Sequence, residues 1–244
     1  MNVAEVETAQ VTGAADRSWR DLYRAGGLAA LLASLMYISA LVVLVVTPTA
    51  PAAGGEAILR YIAAHRSVYI LEQVLWLAPS VLLVVTFLAL CAALMGVNRS
   101  YAAIGGVLAI ASWALPLVYP ATGGGAPALV YLSDHYMAAG DAVQRAALAA
   151  AAEGFVAQNV IPGAAGILEP IGILIMSLVM LGGVFSRSLA YLGIATGAIG
   201  IVSESLRPVL GGGYVVYGLL LLVWLIAVGW GLYRLAGRGA KAAP

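Results

Sequence analysis

Charged residues are scarce in this chain. They make up 9% of its 244 residues, whereas hydrophobic residues make up 63%. About a quarter of the residues are charged in an ordinary soluble domain, so the composition excludes that class. With a mean hydropathy of +0.99, the chain is predicted to have the lipid bilayer as its main partner. The formal net charge of +1 gives no reason to expect a nucleic-acid partner.

Cysteine and histidine are almost absent. Cys91 is the only cysteine, which excludes an intramolecular disulfide, a Cys-based zinc site and an iron–sulfur centre within one chain. His65 and His135 both fall outside the apolar runs, so no haem can be held between two intramembrane histidines. The glycine triplets lack the Lys and Ser/Thr of a phosphate-binding loop. We therefore expect no cofactor.

Long apolar runs dominate the chain. Because a membrane helix needs about 20 apolar residues, the sequence predicts an all-α polytopic helix bundle with six transmembrane helices. The single membrane domain covers 25–237, between tails at 1–24 and 238–244. The predicted spans lie near 25–47, 68–96, 101–119, 160–184, 189–208 and 214–236.

Arginine and lysine are unevenly divided between the two sets of loops. One set holds Arg17, Arg20, Arg24, Arg99, Arg187, Arg234, Arg238 and Lys241. The positive-inside rule places these residues in the cytoplasm. The sequence thus predicts a multi-pass protein of the bacterial inner membrane with both termini cytoplasmic.

Two outer segments are too polar to span the membrane and are predicted to form surface helices. Glu56 and Arg60 have the i,i+4 spacing of a helical ion pair, and Asp141 and Arg145 repeat it. The second pair lies in a long outer loop over 120–159, part of which could instead re-enter the membrane as a seventh span.

Ordered matches indicate an internal repeat. Residues 56–60 resemble 141–145, 70–72 resemble 167–169, and 99–105 resemble 187–193. We predict that transmembrane helices 2–3, the second and third spans, duplicate transmembrane helices 4–5 in parallel orientation. Chance matching in an Ala/Gly/Leu-rich chain is the alternative. Two faces of small residues, suited to close helix packing and to homo-oligomer assembly, accompany the match: Gly105, Ala109 and Ser112, and Gly193, Gly197 and Gly200.

Short motifs at the helix starts carry a family resemblance. Tyr23-Arg24-Ala25-Gly26-Gly27 enters the first helix, and Arg187-Ser188-Leu189-Ala190-Tyr191-Leu192-Gly193 opens the fifth. With the surface helix before the second span, this pattern resembles a bacterial family of six-helix integral membrane proteins catalogued as a domain of unknown function. The resemblance covers nearly the whole chain and implies six spans, but no activity.

Ionisable residues within hydrocarbon are costly and therefore mark candidate sites. We predict a ligand-binding cluster near the outer side, formed by Glu72, Glu169, Glu204 and Arg207. One Arg cannot neutralise three carboxylates, so such a site suits a proton, a cation or a small molecule. The alternative is structural: Glu204 pairs with Arg207, Glu72 is wetted, and Glu169 fixes helix packing.

A metal site can also be assembled from these residues. If the surface helix continues into the second span, His65 and Glu72 share a face, and Asp134 and His135 could approach from the outer loop. This arrangement would suit a membrane-embedded metal-dependent hydrolase, although no H-E-x-x-H spacing is present.

Three function classes follow from the sequence. The first is a sensor or transporter-like protein that binds a small molecule, ion or proton. The second is a structural or partner-binding subunit without a ligand, and the third is the hydrolase. We lean against an enzyme.

Overall fold

The computed structural model describes residues 16–51, 54–118, 125–160 and 164–238, and these residues are predominantly helical. The α-helices, numbered in chain order, are α1 Arg20–Val46, α2 Gly55–Ala64, α3 Arg66–Leu94, α4 Arg99–Val118, α5 Ala128–Ala138, α6 Ala142–Val160, α7 Ala164–Met180, α8 Arg187–Ser205, α9 Arg207–Leu210 and α10 Val215–Arg238. Short 3-10 helices precede α1 and α10, over Arg17–Trp19 and Gly211–Tyr214.

Among the described residues, five helical segments are long and apolar enough to cross a membrane. They are α1, α3, α4, α8 and the segment Gly211–Gly237, which contains α10. This confirms an all-α, multi-pass membrane protein. The predicted span over 160–184 is shorter in the structure, because its apolar helical part covers only Gly166–Met180.

Six apolar helices pack in a closed ring that follows the chain. The order is α1, α3, α4, α7, α8, α10 and back to α1. Short connections join α3 to α4 and α7 to α8, so these neighbours run antiparallel. We call the end with those two connections, the start of α1 and the end of α10 the terminal end. The opposite end, where α2, α5 and α6 lie, is the cap end.

Glycine allows α7 to lie very close to both α4 and α8. A Cβ on Gly172 would come within 2.6 Å of the Gly105 carbonyl oxygen, and one on Gly197 within 2.7 Å of the Pro170 carbonyl oxygen. Both predicted small-residue faces are buried as expected. Through these glycines, each face packs against α7.

The cap consists of α2, α5 and α6, which share a small apolar core. Its buried side chains are Ile58, Leu59, Ile62, Tyr69, Leu129, Tyr136 and Ala152. The Ser133 hydroxyl donates to the Leu59 carbonyl at 2.7 Å, which ties α5 to α2. The two segments predicted to be surface helices are thus helical, and the second one contains two helices rather than one.

One of the two predicted cap ion pairs forms. Arg60 and Glu56 lie 2.8 Å apart. Hydrogen bonds from Tyr136 and Arg60 hold the pKa of Glu56 below its usual 4.5.

The prediction for Asp141 and Arg145 is wrong. Asp141 accepts the backbone N–H of Gln144 at 2.7 Å and so caps α6. Arg145 donates to the Ala139 carbonyl at 3.0 Å instead.

The cap does not continue straight into the second span. α2 ends at Ala64, and α3 begins at Arg66 after a break at His65, where φ is −127° and ψ is 35°. The continuous helix that would have aligned His65 with Glu72 is therefore not formed.

Candidate functional site

A cavity of about 410 Å³ lies in the cap half of the ring. It is lined by residues of α1, α3, α4, α7 and α10 and by Tyr214 at the end of the 3-10 helix. The lining residues are mostly apolar: Tyr37, Leu41, Leu44, Trp76, Leu77, Ser80, Trp113, Pro116, Glu169, Tyr214, Val215, Tyr217, Gly218, Leu219, Leu221, Leu222 and Leu225. Glu169 is the one acidic residue among these described lining residues, and none of them is basic.

Glu169 is held by two neutral donors. The Trp113 indole N–H donates to Oε1 at 3.1 Å, and the Tyr217 hydroxyl donates to Oε2 at 3.4 Å. The residue is 7% exposed. None of the ion pairs formed within the described residues involves Glu169. The carboxyl group is thus buried in the cavity wall with hydrogen bonds but without a counter-charge.

Aromatic rings lie on both sides of Glu169. The Tyr37 ring lies 5.6 Å from the Trp76 ring and 6.3 Å from the Trp113 ring, measured between centroids. On the other side, Tyr214 and Tyr217 meet edge to face at 5.8 Å. Because Trp113 and Tyr217 both bond to Glu169, the carboxyl group bridges the two aromatic groups.

The Tyr37 hydroxyl is buried and has no hydrogen-bond partner within the described residues. A buried polar atom without a partner costs about 1–3 kcal/mol. Tyr37 lines the cavity, but its hydroxyl itself is not exposed to that space.

Glu204 and Arg207 lie beside this site rather than in the cavity wall. Arg207 forms an ion pair with Glu204 at 3.7 Å, and the Tyr214 hydroxyl donates a hydrogen bond to the same carboxylate. Gly166 makes room for it, because a Cβ there would come within 2.6 Å of Oε2 of Glu204. Contacts through Tyr214 and Tyr217 thus connect Glu204 and Arg207 to Glu169.

Glu72 does not join the other three predicted site residues. It is buried, at 6% exposure, but it lies toward the cap. There burial of the Tyr61 hydroxyl raises the pKa of Tyr61, and the nearby carboxylate of Glu72 raises it further. The structure therefore brings together Glu169, Glu204 and Arg207 and leaves Glu72 apart.

The predicted metal ligands are engaged in other contacts. Asp134 forms an ion pair with Arg66. The Nδ1 atom of His135 lies 2.9 Å from the Tyr131 carbonyl oxygen, and the His65 ring packs on Tyr61 at 5.0 Å. Within the described ranges, no three His, Cys, Asp or Glu residues are grouped to hold a metal ion.

Sequence reasoning did not identify the aromatic lining. The predicted site includes none of its five aromatic residues, which are Tyr37, Trp76, Trp113, Tyr214 and Tyr217. A signal was present, since membrane proteins concentrate Trp at the interfaces and Trp76 lies well inside its apolar run. A tryptophan at such a depth indicates a specific environment within the bundle.

No family model, curated protein or solved structure matches this chain. The candidate site is accordingly defined by its own geometry: a buried carboxyl group between two aromatic groups, facing a cavity within a ring of membrane helices.

Proposed function

We propose that this protein binds a small molecule in the cavity between its membrane helices, as a sensor or transporter-like module. The observation that carries the proposal is the cavity of about 410 Å³ with Glu169 in its wall. Ligand pockets commonly have volumes of about 300–1,000 Å³ and are mainly apolar with a few polar groups. This cavity has that size and that composition.

The polar groups of the cavity favour binding over a purely structural role. Burying a carboxyl group within a membrane costs free energy. When the group is ionised, hydrogen bonds from neutral donors offset only part of that cost. If Glu169 served only helix packing, its partners would be expected to surround it closely. Instead it lines the cavity.

The competing role is a structural or partner-binding subunit that assembles through its glycine faces. Gly105, Gly193, Gly197 and Gly200 meet atoms of neighbouring helices of the same chain. Because internal packing uses these glycines, they support the ring rather than contacts between copies. The geometry therefore favours ligand binding.

We further propose six spans, with α7 as the fourth. At about 1.5 Å per residue its 17 residues extend about 25 Å, slightly less than the hydrocarbon thickness of about 30 Å. Its position between α4 and α8 supports a crossing, because these neighbours shield it from lipid. The positive-inside pattern supports cytoplasmic termini in a bacterial inner membrane. The cap then lies outside.

We also propose that the chain belongs to the six-helix family and that its second and third spans are duplicated in the fourth and fifth. The sequence matches and the two buried small-residue faces support the duplication. Superposition of α3–α4 on α7–α8 tests it, and unrelated crossing angles would reject it.

Filling the cavity tests the binding role. Gly218 lines the cavity, and a Cβ at this position meets no atom within 4 Å, so Gly218→Trp introduces bulk without an initial clash. The probe is neopentylbenzene, a small apolar compound, titrated into purified protein at fixed detergent concentration. Binding is followed by isothermal titration calorimetry, because its signal does not depend on the tryptophan that each variant introduces.

The matched control is Gly237→Trp. Gly237 is on the same helix and also has open space around its Cβ position, but it does not line the cavity. We expect saturable binding to the parent and to Gly237→Trp, and binding weakened about tenfold or more in Gly218→Trp. Equal responses from all three proteins would reject the cavity as a binding site.

A further inference from the structure

We propose that the ligand of this cavity is an organic cation with apolar substituents, which enters sideways from the lipid between α1 and α10. The inference rests on the proposed binding role and specifies the ligand class and its route of entry.

Charge is the first reason. Glu169 is the one acidic group among the described lining residues, with no basic residue beside it in the wall. Arg207 pairs with Glu204 instead. An ionised carboxylate in an apolar site is stable only with an opposite charge nearby. A cationic ligand supplies that charge, whereas an anionic ligand would be repelled.

The aromatic lining is the second reason. Five described lining residues are aromatic: Tyr37, Trp76, Trp113, Tyr214 and Tyr217. A cation within about 6 Å of a Trp or Tyr ring centroid is attracted by the ring quadrupole, and quaternary ammonium groups are recognised by cages of such rings. Because Glu169 bridges the two aromatic groups through Trp113 and Tyr217, a cation beside its carboxylate also lies near rings.

The mouth of the cavity is the third reason. Leu41 and Leu44 of α1 line the cavity and are 37% and 46% exposed, and Val215 and Leu219 of α10 also line it and are 59% and 50% exposed. These side chains lie on membrane-spanning segments, so the surface they expose faces hydrocarbon. An opening of this composition admits a molecule that partitions into the bilayer and excludes strongly hydrated ions.

The geometry of α1 and α10 explains why the opening lies toward the cap. At the terminal end the two helices are in contact, since a Cβ on Gly27 would come within 2.8 Å of the Gly229 carbonyl oxygen. There the Arg20 guanidinium also donates to the Ala236 carbonyl at 3.2 Å. Farther along, Leu41 and Leu44 of α1 and Val215 and Leu219 of α10 all line the cavity.

A matched pair of probes tests the charge preference. Benzyltrimethylammonium carries a permanent positive charge, and neopentylbenzene is its neutral carbon analogue of the same shape. Both are titrated against the parent, Glu169→Gln and Glu72→Gln. Glu72 is the matched control, because it is a membrane glutamate of nearly equal burial, at 6% against 7% exposure, that does not line the cavity.

We expect the parent and Glu72→Gln to bind the cation about tenfold more tightly than its neutral analogue. In Glu169→Gln this preference should disappear while neopentylbenzene still binds. Equal affinities for both probes in the parent, or an unchanged preference in Glu169→Gln, would overturn the inference. Binding that Gly218→Trp does not weaken would instead show that the cavity is not the site, and would overturn the proposed function itself.

Discussion

The indole N–H of Trp113 donates a 3.1 Å hydrogen bond to Oε1 of Glu169, and this contact joins α4 to α7 within the membrane bundle. It lies on the same pair of helices as the close contact between Gly105 and Gly172. Close backbone packing thus brings α4 and α7 near enough for an indole to reach a carboxyl group. The polar contact also fixes the position of Glu169 in the cavity wall.

Trp113→Phe should lower the thermal stability of the purified protein. The substitution keeps an aromatic ring but removes the N–H donor, leaving Oε1 of Glu169 without this hydrogen bond. Hydrogen bonds between membrane helices contribute about 1 kcal/mol, so we expect a modest decrease in melting temperature in detergent. The control is Trp230→Phe, since Trp230 is half exposed and lies at the terminal end. Equal melting temperatures for both variants would show that the Trp113 bond adds nothing to stability.

Gly200→Ala should be destabilising. A Cβ there would come within 2.5 Å of Cε2 of Tyr217 and within 2.6 Å of Cβ of Pro170. Tyr217 or Pro170 must then shift, and overpacking of this kind costs about 1–3 kcal/mol. Thermal unfolding in detergent measures the change.

Gly218→Ala is the matched control for that variant. It makes the same chemical change, but the added Cβ meets open space. Because Ala favours helix over Gly, its melting temperature should equal or slightly exceed that of the parent. If both alanine variants behaved alike, the close packing of Tyr217 against α8 would be contradicted.

The cap should lose stability in acid through Glu56. Its folded pKa lies below the usual value of 4.5. The stabilising contribution is therefore complete above the unfolded pKa and is lost as the pH falls through the lowered folded pKa. Hydrogen exchange of the α2 amides, corrected for intrinsic exchange rates, should show loss of protection in the parent between about pH 5 and pH 3. Glu56→Gln should show a smaller change over that range, and an identical profile would exclude Glu56 as the titrating group.

Cysteine labelling decides whether α7 crosses the membrane. If it does, Arg99→Cys and Arg187→Cys lie on the same side, and Gly140→Cys lies on the opposite side. All three positions are exposed, whereas the natural Cys91 is buried. With the proposed orientation, an impermeant maleimide added to intact cells should label only Gly140→Cys. Labelling of either Arg99→Cys or Arg187→Cys, but not both, would leave five crossings.

The long apolar runs made most of the ring predictable, since run length determines which segments can cross a bilayer. The extent of α7 was not predictable in this way. α4 and α8 pack on either side of it, so Gly166–Met180 need not be matched to lipid along its whole length. Sequence hydropathy contains no information about such shielding by neighbouring helices.

The candidate site was predictable only in part. Depth along each helix correctly placed Glu169 and Glu204 near one another, but Glu72 faces different neighbours, and the rotation of a helix cannot be obtained from depth. The N-terminal capping residue of α6 was predictable from the sequence, because Asp141 followed three residues later by Gln144 is a capping pattern. The i,i+4 spacing between Asp141 and Arg145 predicted an ion pair instead.

The closure of the ring between α1 and α10 has a consequence for biogenesis. Of the described membrane helices, α1 leaves the ribosome first and α10 last, yet together they form the mouth of the cavity. Until α10 inserts and Gly229 packs against Gly27, Glu169 has no Tyr217 donor and the cavity has no wall on that side. The candidate site is thus completed only when α10 is in place, and a nascent chain lacking α10 exposes the carboxyl group to the bilayer or the translocon.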